Sequence, residues 1–379
     1  MNKILVLGAG MVGSAIVKDL LADYDVSVID INKKNLETLK NYKSLKIINA
    51  DLSNSSIIKK FCKDSDLVVS AVPGFMGFKV LTEVIKCGKD VVDISFFSED
   101  PFKLDKLAKE KKVTAIVDCG VAPGMSNMIL GYHNSKMKVD SFKCYVGGLP
   151  FERTLPFQYK APFSPVDVIE EYIRPARIVE NRKLLIKPAL SESEHINFDN
   201  VGTLEAFNTD GLRSLLKTMK IPHMVEKTLR YPGHIEYIMV LRDTGFFDHK
   251  KIKLNGYKIA PIELTTKLLL PHWKRKANEK EFTVMRIIIH GIEKSAYKEY
   301  RYDLYDEFDE KTKTSSMART TGYTCTAAVR LVLKKKFIRK GISPPEYIGA
   351  QPGCFTEVIK DLAKRNIIYR KSERIIHNK

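Results

Sequence analysis

The sequence is poor in cysteine and in long apolar runs. Its 379 residues include six cysteines, and none of them stands at CxxC or CxxH spacing. This scatter argues against a zinc site and a disulfide framework, so we expect no metal centre and a reducing, cytoplasmic environment. No run of about 18 apolar residues occurs, and we predict no membrane-spanning helix. Because the first predicted strand begins directly after Met1-Asn2-Lys3, we also expect no signal peptide.

Acidic residues are the second shortage. The chain has 45 Asp and Glu against 63 Lys and Arg, which gives a net charge of +18. The basic residues are spread along the chain, with short runs such as 334–336, and no nucleic-acid-binding motif accompanies them. We therefore predict a solvated basic surface, with neither nucleic acid nor membrane as a partner. With 44% hydrophobic residues, the chain is long enough for two globular domains.

A glycine motif opens the chain. Residues 4–13 read ILVLGAGMVG, which predicts a buried strand, the pattern Gly8-x-Gly10-x-x-Gly13, and then a helix. Gly8 permits a tight turn, Gly10 lets the backbone approach a pyrophosphate, and Gly13 lets helix and strand pack closely. The first N–H groups of the helix, including those of Met11 and Val12, would point at the phosphates. The motif predicts a dinucleotide-binding domain.

The second predicted strand, VSVID, ends in Asp30. This is the spacing expected for the acid that binds the hydroxyls of the adenosine ribose, and a carboxylate there repels a 2′-phosphate. The residues that follow are Ile31, Asn32, Lys33 and Lys34, and the two lysines fit the solvated start of a helix. We predict NAD rather than NADP as the cofactor.

Strands and helices continue to alternate as far as residue 119. The predicted strands are 46–51, 66–73, 90–95 and 114–119, with helices over 53–62, 78–87 and 101–111. This order predicts an α/β fold, a doubly wound parallel Rossmann sheet, and ligands bind at the carboxyl ends of such strands. The residues nominated there are Asp51, Ser70, Ala71, Val72, Pro73, Asp93 and Ser95.

The alternation stops beyond residue 124, which predicts a second, α+β domain for substrate binding and dimerisation. We place the Rossmann domain at residues 1–121, completed by C-terminal helices within 322–379, and the second domain at 122–321. Runs such as FKCYVGG, YIMVLRD and TVMRIIIHG look like strands, whereas VDVIEEYI and GLRSLLKTM look like helices. Further helices are predicted over 324–337 and 354–366.

The densest polar cluster lies between residues 202 and 247. Charged side chains stand there among glycines, prolines and apolar residues, as in a pocket for a zwitterion: Glu205, Asp210, Arg213, Arg230, His234 and Arg242. Arginine can grip a carboxylate with two hydrogen bonds. We therefore assign Arg213, Arg230 and the adjacent Tyr231 to substrate binding, and Arg242-Asp243 to an ion pair.

For the acid/base group we favour His234, with Asp210 or Glu205 as the alternatives. Other roles stay open for two of them. Asp210 precedes a plausible helix, so it is equally suited to be an N-cap. His234 follows a glycine in a turn, where a structural hydrogen bond is as good an interpretation as catalysis.

The chain resembles the saccharopine-dehydrogenase-like oxidoreductases, and among them most closely the lysine 6-dehydrogenases. The matching segments are GAGMVG, CGVAPGMSNMILGY, YVGGLP, FSPVDVIEEYIRPAR, LEAFNTDGLRSLL and TLRYPGHIEY. The resemblance implies a homodimer that oxidatively deaminates the ε-amine of L-lysine with NAD, giving ammonia and a semialdehyde that cyclises to piperideine-6-carboxylate. The alternative is a saccharopine dehydrogenase or a related carboxy-polyamine dehydrogenase. A nucleotide-sensing protein without catalysis is a third interpretation.

Two departures guide the choice within this group. The resemblance implies that glutamate-forming saccharopine reductases carry an Asp before the Pro-Gly of the CGVAPG loop and a Cys before the GGLP turn. This chain has Ala122 and Val146 at those positions. Both side chains look catalytic in the reductases, so their absence favours lysine deamination over saccharopine reduction.

Overall fold

The computed structural model describes residues 1–161, 165–276 and 279–376, the side chains of 165–167 excepted. The chain divides into two compact units. Unit 1 contains Met1–Met137 and Met317–Ile368, and unit 2 contains Lys138–Ser316 and Tyr369–Lys379. These boundaries differ from the predicted ones, since 122–137 belong to unit 1 and Tyr369–Lys379 belongs to unit 2.

The first segment of unit 1 alternates strands and helices. It consists of β1 Lys3–Leu7, α1 Met11–Leu20, β2 Asp25–Asp30, α2 Lys33–Glu37, β3 Lys46–Asn49, α3 Ser55–Cys62, β4 Leu67–Ser70, α4 Gly74–Lys86, β5 Asp90–Asp93, a 3-10 turn Pro101–Leu104, α5 Asp105–Glu110, β6 Thr114–Ile116 and α6 Met125–Asn134.

The middle segment forms most of unit 2. It consists of β7 Lys138–Pro150, α7 Pro165–Ile173, β8 Ala176–Glu180, β9 Lys183–Lys187, β10 Glu194–Phe198, β11 Gly202–Asn208, α8 Leu215–Thr218, β12 His223–Arg230, α9 His234–Asp243, β13 Ile252–Leu254, β14 Tyr257–Ile259, α10 Pro261–Trp273, β15 Glu281–Glu293 and β16 Ala296–Glu307. The last segment adds α11 Ser316–Leu333, β17 Gly341–Ser343, α12 Pro345–Ala350, α13 Cys354–Ala363 and β18 Tyr369–Ile375.

Unit 1 is a seven-stranded sheet in the order β17-β6-β5-β4-β1-β2-β3. Every neighbouring pair in it is parallel. The four residues Ile4–Leu7 of β1 are all buried, as expected for a central strand covered by helices on both faces. The predicted doubly wound α/β fold is thus confirmed. The strand order reverses between β1 and β4, which is where such sheets bind ligands.

Elements of the last segment complete unit 1 in three places. Gly322 of α11 lies against Ile16 of α1, since a Cβ at that glycine would stand 3.2 Å from the Ile16 Cγ1 atom. Helices α6 and α12 cross so closely that a Cβ at Gly131 would clash with the carbonyl oxygen of Glu346. This crossing explains why residues 122–137 fold with unit 1. Strand β17, which the sequence did not predict, pairs with β6.

Unit 2 is built on a nine-stranded mixed sheet. Along its main path the strand order is β10-β11-β12-β7-β15-β16-β18. Off this path, β8 pairs with both β12 and β9. Strand β18 lies antiparallel to β16, which is why residues 369–375 leave unit 1. Helices α7, α9 and α10 share one hydrophobic core, which includes Tyr172, Ile238 and Trp273.

Two predicted elements of unit 2 were wrong. YIMVLRD is not a strand but most of α9, because Ile235 and Ile238 are buried at helical spacing while Tyr237 and Val240 are exposed. The helix predicted over GLRSLLKTM shrinks to the four residues of α8. Among the described residues, no helix is long and apolar enough to cross a membrane.

Candidate functional site

The glycine loop between β1 and α1 has the shape of a phosphate cradle. Gly8 has φ +103°, and a Cβ there would clash with the carbonyl oxygen of Ala71. A Cβ at Gly13 would clash with the Gly8 carbonyl, whereas a Cβ at Gly10 would meet nothing within 4 Å. Two glycines are therefore required by packing, and the third leaves open space.

Helix α1 begins at this open glycine. Gly10 is its N-cap, no side chain caps it, and its first turn, from Met11 through Val12, carries no acid. The first N–H groups of a helix find no partner within the helix, and its dipole favours an anion. The loop and helix therefore fit a diphosphate, as the sequence predicted.

Asp30 lies beside this loop at the end of β2. Its Oδ2 accepts a hydrogen bond from the Ala9 N–H at 2.6 Å, and its Oδ1 accepts one from the Asn32 N–H at 2.7 Å. Asn35 donates a third, longer bond of 3.3 Å to Oδ2. The carboxylate is thus held next to the glycine loop, which is the position expected of a ribose-binding acid. Lys33 and Lys34 are exposed at the start of α2.

The other predicted cofactor residues follow the carboxyl ends of β3, β4 and β5. Residues 70–73 continue from β4, where Ala71 packs on Gly8, Val72 is buried, and Pro73 is the N-cap of α4. This turn lies across the switch point from the glycine loop. Asp51 is two residues beyond β3 and exposed, and hydrogen bonds from Ser53 hold its pKa below the ordinary value.

Asp93 is fully buried at the end of β5. Its Oδ1 accepts the Ser95 N–H at 2.8 Å, and its Oδ2 accepts the Ser95 hydroxyl at 3.2 Å. The Ser95 and Ser70 hydroxyl oxygens are 3.4 Å apart, which joins the loops after β4 and β5. Burial, with the nearby charge of Asp118 acting in the same direction, raises the pKa of Asp93 to about 7. The sequence predicted this residue as a cofactor ligand, and the structure buries it at the end of β5, an interior strand of the sheet.

In unit 2, Arg230 is buried at the end of β12. It donates to the Tyr172 hydroxyl at 3.1 Å and the Tyr159 hydroxyl at 3.3 Å, and it pairs with the Glu171 carboxylate at 2.9 Å. The guanidinium also lies 4.4 Å from the centre of the Tyr159 ring. These contacts hold it inside the protein, so the predicted role of gripping a substrate carboxylate finds no support in this geometry.

His234 belongs to the same buried cluster. Its Nδ1 is 2.8 Å from the Phe157 carbonyl oxygen and its Nε2 is 2.9 Å from the Tyr172 hydroxyl. Burial, together with the charge of Arg230, lowers the pKa of His234 to about 3. The neutral ring must therefore carry its proton on Nδ1 and accept from Tyr172 at Nε2. With both nitrogens bonded, the geometry favours the structural interpretation over the acid/base role.

Asp210 is neither an N-cap nor an open ligand. The N-cap of α8 is Ser214, and Asp210 is gripped by Arg177, with Nε to Oδ1 at 2.7 Å and Nη2 to Oδ2 at 2.9 Å. Arg213 is buried, has φ +50°, and precedes the helix in which it was predicted to lie. Tyr231 donates its hydroxyl to the Pro150 carbonyl at 2.8 Å.

Glu205, the third predicted acid/base residue, is buried in β11. It stands opposite Arg230 in the β11–β12 register, and its Oε2 accepts the Gly233 N–H at 3.3 Å. Burial raises its pKa above the ordinary value, and the charge of Glu236 adds to this.

Sequence reasoning missed the partners that build this cluster. Tyr159, Glu171, Tyr172 and Arg177 were not nominated, although the mixture of aromatic and charged residues over 157–172 was a usable signal. Their contacts with Arg230, His234 and Asp210 span 33 to 71 residues of sequence, which no local pattern reveals. The predicted Arg242–Asp243 ion pair is confirmed at 2.8 Å. In the part of the chain that the structure describes, no group of three or more His, Cys, Asp or Glu residues could hold a metal ion.

A parallel doubly wound unit with a glycine cradle, followed by a mixed-sheet unit, defines a two-domain protein of the dinucleotide-binding class. The family model of the saccharopine dehydrogenase NADP binding domain matches residues 4–116, and the family model of the saccharopine dehydrogenase C-terminal domain matches residues 120–368. The chain belongs to the saccharopine dehydrogenase family.

The relatives that the chain matches are distant in sequence and longer than this chain. A saccharopine dehydrogenase (NADP(+), L-glutamate-forming) of Saccharomyces cerevisiae is 25% identical over 64% of this chain and 58% of its own length. An alpha-aminoadipic semialdehyde synthase of Arabidopsis thaliana is 24% identical over 75% of this chain and 29% of its own length. The chain thus spans less than two thirds of the length of these relatives.

Solved structures share the fold. The apo saccharopine dehydrogenase (L-Glu forming) of Saccharomyces cerevisiae superposes with a TM-score of 0.80 at 20% identity, covering 99% of this chain and 100% of that one. The homospermidine synthase of Legionella pneumophila, solved in complex with NAD, gives a TM-score of 0.67 at 13% identity over 99% and 91%.

Proposed function

We propose that this protein is a nicotinamide-dependent oxidoreductase that acts on the C–N bond of a secondary amine of the saccharopine class. One observation carries the proposal: both domains of the saccharopine dehydrogenase family follow each other in this chain, over residues 4–116 and 120–368. The saccharopine dehydrogenases named among the relatives support it. These findings favour the alternative drawn from the sequence over lysine deamination.

The cofactor would be held by unit 1. The cradle from Gly8 to Gly13 and the start of α1 fit a diphosphate, and Asp30 would accept hydrogen bonds from the ribose hydroxyls. A nicotinamide dinucleotide supplies the hydride acceptor for oxidation of the amine. We propose NAD because a carboxylate at Asp30 disfavours a 2′-phosphate, although the matching family domain is described as NADP binding.

The chain must also manage protons. Hydride leaves carbon efficiently only when the neighbouring nitrogen has a free lone pair, and an alkyl ammonium has a pKa near 10.4. A base is therefore needed, and a positioned one contributes about 10²–10⁴-fold. We propose Glu205 for this proton, because burial raises its pKa. By contrast, Asp210 is paired with Arg177, and both ring nitrogens of His234 are hydrogen-bonded, to Phe157 and Tyr172.

Oxidation of the ε-amine of L-lysine is the second candidate. Two residues favour it: Ala122 precedes Pro123-Gly124, and Val146 precedes Gly147-Gly148 in β7. The glutamate-forming reductases are expected to carry Asp and Cys there. If the Asp and Cys side chains transfer protons in the reductases, this chain must either use another group for that transfer or catalyse another reaction.

A substrate comparison with the full-length protein tests both candidates. Reduced-nicotinamide absorbance is followed with saccharopine, and separately with L-lysine, using NAD and NADP in turn. Reduction of the cofactor in the presence of saccharopine, with release of glutamate and no ammonia, would support the proposal. Reduction with lysine accompanied by ammonia would instead support the second candidate. A protein that binds the cofactor but oxidises neither amine would refute both.

A further inference from the structure

Two cysteines end neighbouring helices of unit 1. Cys62 is the last residue of α3, and Cys87 is the C-cap of α4. Because both helices connect strands of one parallel sheet, they run in the same direction and end on the same side of unit 1. The Cys62 side chain is buried in a hydrophobic cluster, and the partly exposed Cys87 packs against this cluster. The fold thus brings two free thiols to one place.

An ion pair aligns the two helices just before the cysteines. The Lys59 ammonium of α3 lies 3.6 Å from the Glu83 carboxylate of α4. On a helix, residues three or four apart lie on the same face, one turn away from each other. Cys62 follows Lys59 by three residues. Cys87 follows Glu83 by four. The two cysteines therefore stand at the same level, one turn beyond the ion pair.

A lysine joins the two chain segments on the other side of the cysteines. The Lys89 Nζ atom donates to the Lys63 carbonyl at 3.1 Å and to the Ser65 carbonyl at 2.7 Å. The chain just after Cys87 is thereby tied to the chain just after Cys62. Together with the ion pair, these bonds hold the helix ends side by side whether the thiols are free or joined.

The two thiols differ in access to solvent. All six cysteines of the chain are free, and Cys87 is the one that is not buried. Burial, with the charge of a Cys87 thiolate acting in the same direction, raises the pKa of Cys62 to about 12, and the Lys89 ammonium opposes this. Cys62 therefore stays protonated at neutral pH. An accessible thiol beside a protected one is the arrangement of an attacking and a resolving cysteine.

We propose that Cys62 and Cys87 form a reversible disulfide when the protein meets a small-molecule disulfide such as glutathione disulfide. The Cys87 thiolate attacks one sulfur of glutathione disulfide, which forms a mixed disulfide and releases one glutathione. Cys62 then loses its proton to solvent and attacks the Cys87 sulfur, and the second glutathione leaves. Two protein thiols are thus oxidised to one S–S bond, while one glutathione disulfide is reduced to two glutathione molecules.

The disulfide would fasten the end of α3 to the end of α4. A cross-link restricts the unfolded chain, which favours the folded state when the native geometry accepts the bond. The contacts on both sides of the cysteines already hold the helix ends together, so little movement is required. We expect oxidation to raise the melting temperature by at least about 4 °C. The pair would thus make unit 1 more stable under oxidising conditions.

Titration of the full-length protein with mixtures of oxidised and reduced glutathione tests this proposal. After free thiols are blocked with iodoacetamide, peptide mapping should show a cross-link between Cys62 and Cys87 that dithiothreitol removes. Cys62→Ser should stop at the mixed disulfide of Cys87 with glutathione, and Cys87→Ser should leave Cys62 unmodified. A wild-type protein that keeps both thiols free in glutathione disulfide, or that stops at the mixed disulfide, would overturn the proposal.

Calorimetry of the oxidised and reduced wild-type protein needs no substitution, so it does not depend on the folding of a variant. The cross-linked protein should show the raised melting temperature, and dithiothreitol should reverse it. Cys354→Ser is the matched control, because Cys354 is buried in α13, and it should keep both the cross-link and the shift. A cross-linked protein that melts no higher than the reduced one would overturn the alignment of the two helix ends.

Discussion

At the scale of single residues, Asp30 combines two tasks. Its Oδ2 accepts the Ala9 N–H and so supports the glycine loop, and the same carboxylate is proposed to bind the ribose. Asp30→Asn should weaken NADH binding about tenfold or more, because hydrogen bonds to a charged group contribute about 1.5–3 kcal/mol. NADPH binding should suffer less, since repulsion of the 2′-phosphate disappears.

The ratio of the two dissociation constants, measured by nicotinamide fluorescence, isolates the ribose contribution. A looser glycine loop would weaken the binding of both cofactors alike, so its effect cancels in the ratio of the two dissociation constants. Glu37→Gln, an exposed acid in the helix after β2, is the control and should leave both constants unchanged. An unaltered ratio in Asp30→Asn would contradict the proposed cofactor preference.

The raised pKa of Asp93 should give the protein an unusual pH dependence of stability. Its pKa is raised to about 7 when folded, against an ordinary value of 3.8, so between these pH values the folded chain binds the extra proton. Stability should therefore fall as pH rises from 4 to 7, by up to about 1.4 kcal/mol per pH unit, and then level off. Asp93→Asn should remove this slope in denaturant titrations compared with wild type. Asp64→Asn, an exposed loop acid, should keep it, and a slope unchanged in Asp93→Asn would refute the burial argument.

At the scale of elements, the turn from β1 into α1 separates packing from binding. Gly8→Ala and Gly13→Ala each place a methyl group against a backbone carbonyl and should destabilise unit 1 strongly. Gly10→Ala meets nothing within 4 Å, so its cost should stay near the roughly 1 kcal/mol of an alanine N-cap. The same methyl group would block the close approach of a diphosphate.

Thermal unfolding and cofactor titration of the three variants distinguish these roles. Gly10→Ala should unfold near the wild-type temperature yet lose dinucleotide affinity at least tenfold. If Gly10→Ala instead bound the cofactor normally, the loop would not be the diphosphate site. Normal stability in Gly8→Ala or Gly13→Ala would contradict the close packing of the turn.

The sequence identifies elements well where a physical rule leaves one choice. The glycine pattern and the Val/Ile-rich strands predict unit 1 because parallel strands covered on both faces must be continuously apolar. Predicted strands overran at their carboxyl ends, as at 66–73 against Leu67–Ser70, since the loop residues Ala71, Val72 and Pro73 are also apolar. The short run YIMVLRD was taken for a strand because periodicity over seven residues cannot separate a strand from a half-buried helix.

The candidate site of unit 2 was less accessible to sequence reasoning. Residue type correctly indicated that Arg230, His234 and Glu205 are unusual, since all three are buried polar groups. Their roles depend on partners that are distant in sequence, such as Tyr172, 62 residues from His234. His234 and Arg230 both suit a substrate on chemical grounds. In the structure, both instead form hydrogen bonds with the hydroxyl of Tyr172.

At the scale of the whole chain, unit 1 is discontinuous. It joins residues 1–137 to 317–368, and the return of the chain was predicted from two late helical patterns. Neither pattern could show that β17 extends the parallel sheet or that 369–375 pairs with β16, because both strands are short and polar or mixed. Long-range pairing of this kind is decided by packing rather than by local preference.

Arg330 is the main polar connection between the two segments of unit 1. From α11 it donates to Asp19 at 2.9 Å and Asp23 at 2.9 Å, both on the α1 side, and to Asp361 of α13 at 3.3 Å. Its side chain is 7% exposed. Arg330→Met would remove one of two cations from Asp19 and Asp361, which both keep Arg365, and the cation of the half-exposed Asp23. Because hydrogen bonds to charged groups contribute about 1.5–3 kcal/mol, we expect a loss of stability of that size.

The expected consequence is a fall in melting temperature of about 2–4 °C for each kcal/mol of stability lost, measured by calorimetry. Hydrogen exchange should rise first in α11, since this helix loses its ion pairs with Asp19 and Asp23 and keeps the Thr326 hydroxyl bond to Asp19. Arg339→Met serves as the control, because Arg339 is exposed and lies over the Tyr347 ring, a contact worth less than about 1 kcal/mol. Equal melting temperatures for the two variants would mean that apolar packing around Gly322, and not this ion network, holds the returning segment in place.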